Sequence, residues 1–237
     1  NYITFLDPDN EAVNDGYTKL YQELIDSNYD MVIGNMKKVD IVEHDFNYFR
    51  DVIYYQAKNE FNHVDSREFL ESTHFKAQSI QGLMIKKEVI LNNNIEMVLG
   101  AVGQDTLFFH ELIINSKSFK VIDEIIHIYY SGVEGSTVNN ITIKTFEKYY
   151  VLEKARVEFL KRENLLKPYI NKRFNYYFKN WYLKKLEMVK EEHYDEATKY
   201  LYNIYNLYES NASLKKIDSD IKLFIKKLKR KHGKFMF

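Results

Sequence analysis

The sequence predicts a mixed α/β domain over residues 1–140, followed by an all-helical region over 141–237. Three observations predict it. Short runs of strand formers alternate with helix-period segments and turn clusters as far as Tyr130. From residue 141 onward there is no glycine before Gly233 and one proline, Pro168. Charge divides at the same place. Residues 1–140 hold 11 Lys+Arg against 22 Asp+Glu, and residues 141–237 hold 23 against 12. A neutral chain with oppositely charged halves suggests two regions in different surroundings.

The elements follow in order. Tyr2-Ile3-Thr4-Phe5-Leu6 reads as a short strand, stopped by the turn formers Asp7-Pro8-Asp9-Asn10. Tyr17, Leu20, Tyr21, Leu24 and Ile25 fall at helical spacing. Residues 30–36 read as a second strand, and 40–64 show no clear period. Ser79 to Ile85 reads as a strand entering a short helix over 87–92. A helix is expected over 104–115, then separate strands over 119–122 and 125–130. Helices are expected over 141–165, 168–190, 192–209 and 212–231. In the last, Leu214, Ile217, Ile221, Phe224 and Leu228 form an apolar stripe.

Composition narrows the function classes. The chain of 237 residues is 45% hydrophobic and 29% charged, as expected for a globular fold. With no cysteine, a disulfide scaffold, a thiolate metal site and a cysteine nucleophile are excluded. No apolar run is long enough to span a bilayer, and no leader-like segment opens the chain. A cytoplasmic setting is expected.

Three segments could carry chemistry. The Asp7-Pro8-Asp9 turn places two carboxylates at a strand end, where open α/β sheets bind ligands and a hard cation finds oxygen donors. The same four residues also make a good turn with no ligand. Asp105, in Gly103-Gln104-Asp105-Thr106, opens a helix. It is either a helix-dipole partner or a general base. Tyr129 to Thr137 is a strand end and a loop with two glycines, Gly132 and Gly135. Its N–H groups could approach an anion, or it simply leads to the helical half.

Together and in this order, the segments resemble the C-terminal part of a family 2 glycosyltransferase with the GT-A (Rossmann-like) fold. Phe5-Leu6-Asp7-Pro8-Asp9-Asn10 is similar to that family's FLDxDD segment, which contains its Asp-x-Asp motif. Gly103 to Phe109 is similar to GEDxxF, and Tyr130 to Ser136 to YRxxxxS. The resemblance covers residues 1–140 and points toward Gram-positive enzymes that decorate cell-wall polymers or surface glycans.

The resemblance implies a nucleotide-sugar donor, a UDP-sugar above all, and inverting transfer to a glycan, polymer or protein acceptor. It implies donor contacts from Asp7, Asp9 and Ser136, with Mn2+ or Mg2+ on Asp9. Asp105 would be the catalytic base, with Gln104 and Phe108 on the acceptor side. Gln104 stands where the family usually has an acid, and Ser131 where it often has an arginine. Lys37, Lys38, Lys76 and His127 are candidate replacements for that missing cation. In this family about a hundred residues of β/α units precede the Asp-x-Asp strand. The nucleotide-binding half is therefore expected upstream of Asn1, and residues 1–237 alone are expected to bind donor poorly.

The alternative is a non-catalytic binding module whose basic helical tail is its working part. From Lys222 to Phe237 there are six Lys and one Arg and no acid. With the apolar stripe, this suggests peripheral contact of 214–237 with an anionic membrane, at the inner face. No nucleic-acid motif is present, and no nucleic-acid partner is expected.

Overall fold

The computed structural model describes residues 1–40, 49–52, 66–77, 79–132, 141–210 and 217–232. The chain divides into two compact units, Asn1–Met97 with Asp105–Asn139, and Val98–Gln104 with Asn140–Phe237.

The first unit is built on a mixed sheet. Its strands are β1 (Tyr2–Thr4), β2 (Glu11–Ala12), β3 (Met31–Asp40), β4 (Phe49–Val52), β5 (Leu83–Lys86) and β6 (Phe119–Ser131). Their order is β1-β5-β3-β6-β2, with β4 also pairing β3. Among the described residues only the β3–β6 pair is parallel; the other pairs are antiparallel. Met31, Val32 and Ile33 are fully buried, as befits a central strand flanked on both edges. Helices α1 (Gly16–Ser27), α2 (Ser66–Ser72), α3 (Lys87–Asn92) and α4 (Gln104–Asn115) complete the unit. Leu20 and Leu24 of α1 share a core with Val32, Met84, Ile122 and Ile126.

Two expectations are corrected. Residues 119–130 form one strand rather than two. The parallel register jumps from Ile33↔Val121 to Asn35↔Ile125 and then to Met36↔His127. The polar pair Asp123-Glu124 is thus absorbed in a bulge instead of ending the strand. Asn35 Nδ2 donates to Asp123 Oδ1 there, at 3.1 Å. The strand expected from Ser79 begins only at Leu83. Ser79 Oγ accepts from Gln81 N at 3.3 Å and starts a 3-10 turn over Ile80–Gly82.

Two glycines allow β6 its position. A Cβ on Gly16 would sit 2.8 Å from the Ile126 carbonyl oxygen. One on Gly34 would sit 2.7 Å from Ile126 Cδ1 and 2.9 Å from the Glu124 carbonyl oxygen.

The second unit is helical. It contains α5 (Ile143–Arg162), α6 (166–186), α7 (Tyr194–Glu209) and α8 (Ser219–His232). α6 includes π-helical turns at Ile170–Phe174 and Phe178–Leu183. A capping box at Thr142 and Thr145 starts α5. Its core holds an ion pair at 2% exposure, Arg156 Nε to Glu153 Oε1 at 3.1 Å. Tyr182 OH donates to Glu153 Oε1 at 2.6 Å, and Tyr208 OH donates to Glu153 Oε2. Arg156 Nη1 donates to Tyr169 OH at 3.1 Å. Burial first, and then the Glu153 charge, push the Tyr182 and Tyr208 hydroxyls well up, so they remain donors. Among the described residues, no helix is long and apolar enough to cross a membrane.

Candidate active site

The site is assembled in the first unit from β1, the turn after it, the start of α4 and the end of β6. β1 pairs β5, with Thr4 opposite Met84. Thr4 Oγ1 also donates to the Leu83 carbonyl at 2.7 Å. The chain leaves the sheet at Phe5, whose ring meets the Phe108 ring edge-on at 5.7 Å. That contact ties the approach to Asp7 to the helix that begins beside Asp105. Phe108 is buried, so it serves the packing here. The acceptor-side role expected for it has no exposed ring face to work with.

Asp7 to Asn10 close a turn, with Asn10 N donating to the Asp7 carbonyl at 3.1 Å. Gln81 holds this turn from beneath. Its Oε1 accepts from Asp7 N at 3.0 Å and from Asn10 Nδ2 at 2.9 Å, and its Nε2 donates to Asp7 Oδ2 at 2.9 Å. Gln81 is buried, whereas Asp7 and Asp9 are exposed. The turn is fastened on the other side by Tyr130 N, which donates to Asn10 Oδ1 at 3.2 Å. Tyr130 OH donates to Glu11 Oε2 at 2.6 Å. The acidic turn is therefore rigid at both ends and open at its carboxylates.

Tyr129 lies within electrostatic reach of three acidic residues. Its hydroxyl is half-buried and its pKa is pushed up, by burial first and then by the charges of Asp9, Asp105 and Asp7. All three carboxylates thus lie within electrostatic reach of one phenol. Asp105 is exposed in the first turn of α4, and Gln104 beside it is partly exposed. Lys38 of β3 is in register beside Tyr129.

His127 lies two residues before Tyr129 and is fully buried. Burial lowers its pKa to about 4, so the ring is neutral near neutral pH and supplies no charge to an anion. This removes it from the replacements for the missing arginine. Its Nε2 is 3.4 Å from Ser79 Oγ. Ser136 lies outside the described residues.

The sequence reading missed Gln81. Its role depends on the β1–β5 pairing, which brings it to Asp7, 74 residues away in the chain, and no local pattern announces that. The one available signal was a polar residue inside the run from Ser79 to Ile85.

No family model and no curated protein matches the sequence. Solved structures do match. The chain is similar to S. aureus TarS 1-349 in complex with UDP-GlcNAc, at TM-score 0.64 and 14% identity, over 87% of this chain and 57% of that one. It is also similar to S. aureus TarS 1-349 in complex with UDP, at TM-score 0.63 and 13% identity, over 97% of this chain and 62% of that one. The chain therefore spans about three-fifths of the length of those structures. The likeness establishes the fold expected from the sequence, a portion of a GT-A-type α/β domain followed by helices.

Proposed function

We propose that this chain carries the acidic half of a glycosyltransferase site. The reaction is inverting transfer of a sugar from a nucleoside diphosphate sugar, a UDP-sugar, to a hydroxyl of a glycan, cell-wall polymer or glycoprotein. The observation that carries the reading is the acidic turn that Gln81 holds with Asp7 and Asp9 exposed, within electrostatic reach of Tyr129 as Asp105 also is, in a fold similar to one seen with UDP-GlcNAc.

Asp105 is the general base. Its carboxylate takes the proton of the acceptor hydroxyl as that oxygen attacks the anomeric carbon. The bond from that carbon to the diphosphate oxygen breaks, and the nucleoside diphosphate leaves with the electron pair. Attack opposite the leaving group inverts the configuration. Tyr129 stays protonated and offers a hydroxyl donor to the donor's ribose or phosphate. Lys38, in register beside it, supplies positive charge where the family has an arginine. Gln104 contacts the acceptor, next to the base. Asp7 faces the nucleotide, with its carboxylate oriented by Gln81.

A divalent cation, Mn2+ or Mg2+, suits the turn by its donor chemistry. Such an ion, when it also meets substrate phosphate, needs only one or two protein carboxylates. Asp9 would hold it, with Asp7 alongside, and it would supply countercharge to the diphosphate. Among the described residues no group of three or more acidic or histidine side chains offers an all-protein cage.

Calorimetric titration of the intact protein with UDP tests this reading. Binding should require Mn2+ or Mg2+ and should be lost in Asp9→Asn. Metal-independent UDP binding that is unchanged in Asp9→Asn would overturn it.

A further inference from the structure

Of the apolar stripe foreseen for the C-terminal helix, Ile217, Ile221 and Leu228 are buried in the helical unit, Phe224 is partly exposed, and Leu214 lies outside the described residues; Ile225 beside them is buried too. What remains outside is a charge pattern, and the structure sorts it. Three nearby cations are neutralised within the unit. Lys179 pairs with Asp218 at 3.3 Å and Asp220 at 3.0 Å, Lys229 with Glu209 at 3.8 Å, and Lys231 with Asp195 at 2.5 Å. Lys222, Lys226, Lys227 and Arg230 are exposed, and no acid among the described residues pairs with them. At about 100° per residue, these four and Leu223 occupy an arc of about 140°, opposite the buried stripe. Leu223 lies inside that arc and is 54% exposed.

We propose that this outer face of α8 is a docking surface for an anionic lipid bilayer. The face is the outside of a surface helix, and it lacks the features of a nucleic-acid site. It carries no aromatic ring for base stacking, the usual companion of cations that bind single strands. A leucine amid cations suits an interface where headgroup charge lies over acyl chains. The inference is independent of the nucleotide-sugar reading, because it rests on the helical unit alone.

The test compares two triple variants of the intact protein that remove the same net charge. Lys222→Gln/Lys226→Gln/Arg230→Gln strips the outer face; Lys179→Gln/Lys229→Gln/Lys231→Gln strips the paired positions. Co-sedimentation is measured with phosphatidylcholine vesicles, with and without phosphatidylglycerol, at low and high salt. Wild type should bind only the anionic vesicles, and less at high salt. The first triple should lose about five-fold per cation, about a hundred-fold in all. The second should lose less than ten-fold, and Leu223→Ser a few-fold. Unchanged melting temperatures confirm that both triples are folded. Equal losses in the two triples, equal binding to neutral vesicles, or no binding would overturn the proposal. So would tighter binding to a duplex oligonucleotide, lost in the first triple, since that would reassign the face to nucleic acid.

Discussion

Gln81 and Asp7 grip each other twice, backbone N–H of Asp7 to side-chain oxygen of Gln81 and side-chain nitrogen of Gln81 to carboxylate of Asp7. The amide reads both ends of an amino acid whose carboxylate must face outward. With Asn10 as a third partner, Gln81 fixes the whole turn that presents Asp9. Gln81→Ala should leave Asp7 N without its partner and cost about 1–3 kcal/mol of stability. It should also raise the KM for donor more than it lowers kcat. Gln81→Glu should be worse than Ala for metal-dependent binding, because it sets a second carboxylate against Asp7. Equal donor affinity in all three proteins would mean the clamp serves stability alone.

Asp105→Asn should remove turnover while leaving the fold in place. An amide takes no proton from an acceptor, so transfer should fall by about 10²- to 10⁴-fold. The exposed position predicts a melting temperature within a few degrees of wild type. Steady-state transfer assays beside thermal melts check both. Normal turnover would reduce Asp105 to a helix-end charge.

His127 should make the protein sensitive to acid. Its folded pKa of about 4 is depressed below the ordinary 6.5. Between those values the unfolded chain binds the extra proton, so stability is complete above about pH 6.5 and falls as pH drops toward 4. About 2–3 kcal/mol should be gone by about pH 4.5, from this group alone. Urea unfolding at a series of pH values checks it. His127→Gln should flatten that part of the profile.

In the helical unit, Glu153→Gln should be severely destabilising. It leaves the buried Arg156 without its charge partner, a loss of about 3–5 kcal/mol. Replacing both, as Glu153→Leu with Arg156→Met, should recover only part of that loss: the desolvation cost of the charges disappears, but the Tyr182 and Tyr208 hydroxyls lose their acceptor. A double-mutant cycle by urea unfolding measures the coupling. Additive losses would show that the two residues act independently.

The residue types of the candidate site were legible locally. Carboxylates next to Pro8 at a strand end, and an acid after Gly103, announce themselves within a few residues. What could not be read depends on distance along the chain. Gln81 gains its role only when β5 lies beside β1. Asp123 and Glu124 look like a strand break until the bulge opposite Asn35 takes them up. Glu153 and Arg156 look like a solvated i,i+3 pair, and only the surrounding tyrosines make them interior. The stripe was visible as spacing: Ile221 and Leu228 are buried on α8, and Ile217, two residues before the helix begins, is buried too. Whether protein or lipid covered it was a tertiary question, and the helical unit covers it.

The contact of Gly16 and Gly34 with Ile126 bears on how this site can change over time. Ile126 is three residues upstream of Tyr129 on one strand. A methyl group at either glycine would act as a wedge under that strand. If β6 slid by one residue along β3, Tyr129 and Tyr130 would exchange faces, and the phenol would leave the three carboxylates. Two positions remote from any substrate therefore act as a gauge for the spacing of the acidic cluster. Variation at them should be felt first as lost alignment, and drift around the site should be freer at Gln104 or Ser131 than at these two hydrogens.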